Sequence, residues 1–109
     1  MAYRNYKDLT VWQKAMDLTE EVYRLVKILP KEETYALSNQ IRRSVVSVPS
    51  NIAEGQGRES KNEFRSFLSI AKGSLSELET QLLICVRRNI FPNRILKLLF
   101  LFQTKLTKC

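Results

Sequence analysis

The sequence predicts an all-α fold in which helices pack lengthwise as a bundle, and three observations support this prediction. Residues 64–85 carry apolar side chains at alternating steps of four and three, the spacing of a helix that packs along other helices. Residues 11–29 repeat that spacing, and residues 91–102 are apolar on nearly all sides. With 109 residues, the chain has the length of a single domain, 1–109, and is small enough to gain from self-association.

The first helix is predicted at about residues 10–29. Thr10 and Gln13 have the spacing of a helix-start capping pair, and Pro30 marks the end. A second, mostly apolar stripe lies beside the main one; it consists of Trp12, Met16, Thr19, Tyr23 and Val26. Because this makes the apolar face wider than one helix contact requires, we expect the helix to contact more than one neighbour.

The second helix is predicted at about residues 35–54, with a kink where Pro49 removes a hydrogen-bond donor and crowds the carbonyl of Val45. Small polar residues flank the proline; they are Ser44, Ser47, Ser50 and Asn51. They either satisfy the freed backbone groups and let a neighbouring helix approach closely, or are surface serines. Gly55 and Gly57 are expected to end the helix in the left-handed conformation.

The third and fourth helices are predicted at about residues 60–88 and 92–106. Ser60 and Glu63 form a capping box at the start of the third, and Pro92 suits the first turn of the fourth. The fourth segment is too short and too interrupted to span a membrane, so its apolar surface needs burial. A frameshifted or truncated natural tail is the alternative explanation of its composition.

The positive charge is concentrated in the second part of the chain. Of the formal net charge of +7, residues 1–60 supply +1 and residues 61–109 supply +6. Two groups are candidate nucleic-acid ligands: a strip on the third helix, Lys61, Arg65 and Lys72, and a cluster about the last turn, Arg87, Arg88, Arg94 and Lys97. Such a surface attracts polyanions of any sequence, or is merely a solvated basic surface. One of Arg42 and Arg43 is expected to face inward and pair with Glu54 or Glu77.

Catalysis has little support in the sequence. The chain has no histidine, and neither Cys85 nor Cys109 has metal-ligand spacing, so no metal or cofactor is expected. Glu54 is interpreted as a structural hydrogen-bonding residue rather than an acid in a pocket. The N-terminus has no apolar core of signal-peptide length, so we expect a cytosolic protein.

Several motifs resemble a known family. They are Leu9–Met16 at the start of the first predicted helix, Gln40–Ser44, Val48–Gly55, Ser60–Phe64 and Gly73–Leu82. The chain is similar over about residues 7–88 to the bacterial four-helix-bundle proteins encoded in 23S rRNA intervening sequences, with Pro49, Asn51, Glu54 and Gly55 as the most specific positions. The resemblance implies an antiparallel, up-down four-helix bundle that assembles into a ring-shaped homopentamer with a basic surface. Beyond Arg88 the sequence departs from that family.

The resulting interpretation is a non-enzymatic, oligomeric helical bundle that binds nucleic acid with little sequence specificity. Structured RNA or an RNA–protein complex is the expected partner. The alternative is a protein-interaction module or accessory subunit that docks a partner such as a reverse transcriptase. The resemblance implies this because another branch of the family, the accessory variability determinant of diversity-generating retroelements, binds a reverse transcriptase and nucleic acid. The sequence does not identify the RNA, the protein partner or the pathway.

Overall fold

The computed structural model describes residues 5–30 and 34–107, which form four α-helices and no strand. The helices are α1 (Thr10–Val26), α2 (Asn39–Gln56), α3 (Lys61–Arg87) and α4 (Arg94–Thr107). A 3₁₀ turn, Tyr6–Asp8, precedes α1, and a π-helical turn, Thr34–Ser38, leads into α2. The prediction of an all-α fold is therefore confirmed for this part of the chain.

The helices pack in the ring order α1, α2, α3, α4. α1 contacts α2 and α4, and α3 contacts the same two helices. Ser47 on α2 faces Ser74 on α3, whereas Gly55 further along α2 faces Phe64 earlier on α3, so these two helices are antiparallel. The short turn between α3 and α4 places those two antiparallel as well. The bundle measures 51 × 24 × 19 Å.

One hydrophobic core draws side chains from all four helices. The seam residues of α3 that are buried are Leu68, Ala71, Leu75, Leu78, Leu82 and Cys85. α4 contributes Ile95, Leu99, Phe102 and Leu106 from one side, while Phe100 and Leu101 on its other side stay exposed. The fourth helix therefore forms, but Leu98, Phe100 and Leu101 leave exposed a part of the apolar surface that was expected to be buried.

Helix ends differ from prediction at several points. α1 ends at Val26 instead of residue 29, and its N-cap is Leu9 without a capping side chain. Gln13 Nε2 instead donates to the carbonyl of Lys7 at 2.8 Å, so the predicted capping role of Thr10 is wrong. At the start of α3, the Glu63 N–H donates to Ser60 Oγ at 3.1 Å, which confirms Ser60 as an N-cap.

Of the two glycines predicted to end α2, Gly57 does so as the C-cap after Gln56, but with a right-handed φ of −78° instead of the predicted left-handed conformation. Gly55 does not end the helix and is buried inside it. A Cβ on Gly55 would lie 2.8 Å from Phe67 Cβ and 2.9 Å from Phe64 Cδ1. The absence of a side chain at Gly55 therefore allows α2 and α3 to approach closely.

Polar groups also join α2 to α3. Asn51 Nδ2 donates to the carbonyl of Ser47 at 2.7 Å and to Ser47 Oγ at 2.9 Å, and Ser47 Oγ lies 2.7 Å from Ser74 Oγ. Pro49 is buried within the continuous helix α2. Because Pro49 has no N–H, the carbonyl of Val45 lacks its usual donor. The amide of Asn51 was predicted to satisfy such a freed backbone group, but it donates to Ser47 instead.

The turn after α3 depends on a left-handed residue. Asn89 has φ = 59°, and the N–H of Ile90 donates to the carbonyl of Cys85 at 2.8 Å, closing the helix end. We expect Asn89→Val to lower the free energy of unfolding by about 1–2 kcal/mol, because a β-branched residue is strained at this φ. Asn89→Gly is the matched control and should unfold like the wild type in urea. Equal unfolding of the Val and Gly variants would contradict this prediction.

No described helix combines the length and apolar character needed to cross a membrane.

Candidate nucleic-acid interface

Cationic side chains gather at one end of the bundle, where α1 and α3 end and α2 and α4 begin. This basic end consists of Lys27, Arg42, Arg43, Arg87, Arg88, Arg94 and Lys97. All of these residues are exposed except Arg42, which is half-buried. The stretches 24–30, 39–43 and 87–97 contain no acidic residue. Glu32 and Glu33, which follow α1 and precede α2 in the sequence, lie outside the described residues.

The helix dipoles of α3 and α4 have opposite effects on the cations around the turn that joins these two helices. Arg87 and Arg88 lie at the C-terminus of α3, where unpaired carbonyls stabilise positive charge. Arg94 and Lys97 lie in the first turn of α4, which has no acidic residue. Because a helix N-terminus favours anions, these two cations are unfavourable there until an anion neutralises them. The turn between α3 and α4 therefore carries a local excess of positive charge, and Glu21 of α1 lines the same groove as Arg94 and Lys97.

The strip predicted on α3 lies elsewhere. Lys61, Arg65 and Lys72 are exposed in the N-terminal half of α3. The helix has 27 residues, so its two ends are about 39 Å apart at 1.5 Å per residue. The strip also begins close to acidic residues in sequence, Glu59 and Glu63. The two predicted groups of ligands therefore do not form one site.

Lys27, Arg42 and Arg43 were missed as members of this surface by sequence reasoning. The guanidinium of Arg42 lies 5.8 Å from the ring centroid of Tyr23 on α1. Glu54 is exposed near the opposite end of α2, and its carboxylate accepts from Arg58 at 2.8 Å. The predicted pairing of Arg42 or Arg43 with Glu54 is therefore wrong, because Glu54 pairs with Arg58 instead. The antiparallel packing of the helices brings these cations together, and charge spacing along the chain does not reveal it.

A second surface feature is an open groove of about 520 Å³ between α1 and α4. Its apolar lining consists of Leu18, Leu98, Leu101 and Phe102, and its charged lining of Lys14, Asp17, Glu20, Glu21, Arg24 and Lys105. Arg24 pairs with Glu21 within it. Among the described residues, no group of three or more His, Cys, Asp or Glu side chains could hold a metal ion. The groove presents no nucleophile with an adjacent histidine base, because the chain has no histidine.

Comparisons with known proteins agree with this architecture. The model of a family described as 23S rRNA-intervening sequence protein matches residues 7–108. A crystal structure of a protein with unknown function from the S23 ribosomal protein family of Bacteroides thetaiotaomicron VPI-5482 is similar, with a TM-score of 0.78 and 25% identity. The similarity covers 91% of this chain and 93% of that chain. No curated protein matches the chain. The family match continues through α4, so the expected limit near Arg88 is wrong.

Proposed function

Since the chain belongs to the family of 23S rRNA-intervening sequence proteins, we propose that it is a non-enzymatic, self-associating bundle whose basic end binds the phosphate backbone of nucleic acid. Structured RNA, alone or in an RNA–protein complex, is the proposed partner. The observation that carries this proposal is the basic end itself, with seven cations and no acidic residue in the stretches that supply them. The family's connection with 23S rRNA genes supports RNA over other polyanions.

The composition of the surface favours backbone contacts over base recognition. Arginine and lysine bind phosphates irrespective of sequence, and their binding releases counterions. Base stacking on a single strand would need exposed aromatic rings on the same surface. Among the described side chains of this end, Tyr23 is an exposed aromatic residue beside the cations, and the guanidinium of Arg42 lies over its ring. Binding should therefore tolerate changes of base sequence.

Self-association would strengthen such binding. The resemblance to the family implies a ring of five subunits, and each subunit would add its own basic end to the same surface. Linked sites raise the overall affinity when one nucleic acid can contact several of them. The exposed apolar residues on α1 and α4 support self-association, since a small monomer rarely leaves large apolar patches uncovered.

Filter binding tests the proposal with unrelated RNA and DNA duplexes at about 50 and 200 mM salt. We expect binding to both at low salt and a steep loss at high salt, because log affinity falls by roughly 0.7–0.9 per phosphate neutralised for each unit of log salt. Absence of binding at low salt would contradict the proposal and favour a module that docks a protein partner.

A further inference from the structure

The open groove between α1 and α4 continues toward the basic end. A second open pocket of about 290 Å³ adjoins the first, and Glu21, Leu98 and Leu101 line both. The two pockets, together called the α1–α4 groove, extend along α1 from Lys14 to Leu25. At 1.5 Å per residue this span is about 17 Å, the length of about three helical turns.

The α1–α4 groove has an apolar lining along its whole length. Leu18, Ile95 and Phe102 line it with side chains that are otherwise buried in the core. Leu98 is 38% exposed and Leu101 is 55% exposed, so both present apolar surface to the solvent. Residues three apart lie on the same face of a helix, so these two leucines form a continuous apolar edge of α4. A groove of this kind accepts the apolar stripe of an amphipathic helix.

The two rims of the α1–α4 groove differ in charge. The α4 rim has cations and no acid: Arg94, Lys97 and Lys105. The α1 rim has an excess of one negative charge, with the acids Asp17, Glu20 and Glu21 against the cations Lys14 and Arg24. Arg24 pairs with Glu21, whereas neither Asp17 nor Glu20 forms an ion pair with another described residue. The complementary occupant therefore places acids toward α4 and a basic side chain toward α1.

We propose that the α1–α4 groove binds an amphipathic α-helix of a protein partner, with the apolar stripe of that helix on Leu98 and Leu101. Acidic residues along one edge of the helix face Arg94 and Lys97, and a lysine or arginine on the other edge faces Asp17. Nucleic acid and anionic lipid surfaces fit this groove less well, because their negative charge is repelled by the acids of the α1 rim. The groove is a binding surface in addition to the basic end, with which it shares Arg94 and Lys97.

Fluorescence anisotropy with a synthetic peptide tests this proposal. The probe is a labelled, alanine-based peptide of roughly 18 residues, long enough to form a helix in water. Leucines spaced by four and three form its stripe, with glutamates along one edge and equally many lysines along the other, so its net charge is zero. Exchanging the edges would only reverse the direction of the bound helix, so the comparison peptide has lysine along both edges. It should bind about tenfold more weakly than the probe, because the α4 rim repels it.

Neighbouring residues of α4 offer a matched pair of variants. Leu101→Gln removes apolar surface from the groove, whereas Phe100→Gln removes it from the next position, which is 65% exposed and does not line the groove. We expect about a tenfold loss of probe affinity for the first and no loss for the second. Lys97→Gln should weaken binding about threefold. Lys72→Gln, with the same change of net charge on α3, should not weaken it. Circular dichroism should show the same helix content in all four variants.

Probe binding with losses confined to Leu101→Gln and Lys97→Gln would support the proposal. No binding by the wild type, or equal losses in Leu101→Gln and Phe100→Gln, would overturn it. So would an anisotropy that falls at protein concentrations where light scattering shows an oligomer, since a second copy would then fill the groove. The measurements contain no nucleic acid, so their failure leaves the proposed function of the basic end intact, and a failure of nucleic-acid binding leaves the groove intact.

Discussion

Replacing Gly55 with alanine should lower the free energy of unfolding by about 1–3 kcal/mol. The added Cβ would lie 2.8 Å from Phe67 Cβ, an atom fixed to the backbone of α3 that no side-chain rotation can move away. It would also lie 2.9 Å from Phe64 Cδ1 and 3.4 Å from the Phe64 carbonyl oxygen. α2 and α3 must therefore separate, and interiors packed at crystal density resist such movement.

Gly73→Ala is the control for this prediction. Gly73 lies in the middle of α3, and a Cβ there would meet nothing within 4 Å. Alanine should stabilise the protein by about 0.5–1 kcal/mol, because it loses less conformational entropy than glycine in a helix. Urea denaturation of the two variants gives the comparison. If Gly55→Ala were as stable as Gly73→Ala, the close approach of the helices at Gly55 would be wrong.

Removing the positive charges around the turn between α3 and α4 should have the largest effect on nucleic-acid binding. The combined variant Arg87→Gln, Arg88→Gln, Arg94→Gln and Lys97→Gln should lose on the order of 1,000-fold in nucleic-acid affinity at about 0.1 M salt, since each of the four cations is proposed to contact a phosphate. Glutamine keeps the length of the side chain and its helix propensity, so the fold should be unaffected. Filter binding at fixed salt measures the loss.

The matched control removes the same number of charges from elsewhere. This control changes four other cations to glutamine together: Lys14, Lys61, Arg65 and Lys72. Its net charge is therefore the same as that of the first combined variant. Electrostatic influence is screened beyond about 10 Å at 0.1 M salt, and the far end of α3 is about 39 Å from Arg87. We therefore expect only a few-fold loss. Equal losses in the two combined variants would show that net charge governs binding and that the basic end has no special part.

The helical core was predictable from sequence because it depends on local spacing. The steps of four and three that include Leu68, Leu75 and Leu82 place those side chains on one face of a helix, and all three are buried. Ser60 was likewise predictable as an N-cap, because its hydroxyl bonds a backbone group only three residues away. Such features need no knowledge of where other helices lie.

Other features depend on neighbours distant in sequence. Gly55 was interpreted as a helix end, since glycine often ends helices, but its role depends on Phe64 and Phe67 of the facing helix. Asn89 was missed for a different reason. Asparagine takes the left-handed conformation less often than glycine, so its presence after Arg88 gave only a weak signal.

The candidate site was predictable only in part. Arg87, Arg88, Arg94 and Lys97 are close together in sequence on either side of a short turn, so their proximity followed from the chain itself. Lys27 and Arg42 join them because the end of α1 lies beside the start of α2. The same long-range packing separates Lys61 from the cluster, although both belong to the strongly basic second part of the chain.

The salt dependence of binding tests most directly the proposal that the basic end binds nucleic acid. A plot of log affinity against log salt concentration gives one slope for the wild type and one for the variant lacking Arg87, Arg88, Arg94 and Lys97. The magnitude of the slope should be smaller in the variant by roughly 3 per contacting subunit, since each lost phosphate contact removes roughly 0.7–0.9. The slope of the control variant with four charges removed elsewhere should stay close to that of the wild type. An unchanged slope in the first variant, or an equal fall in both, would contradict the proposal.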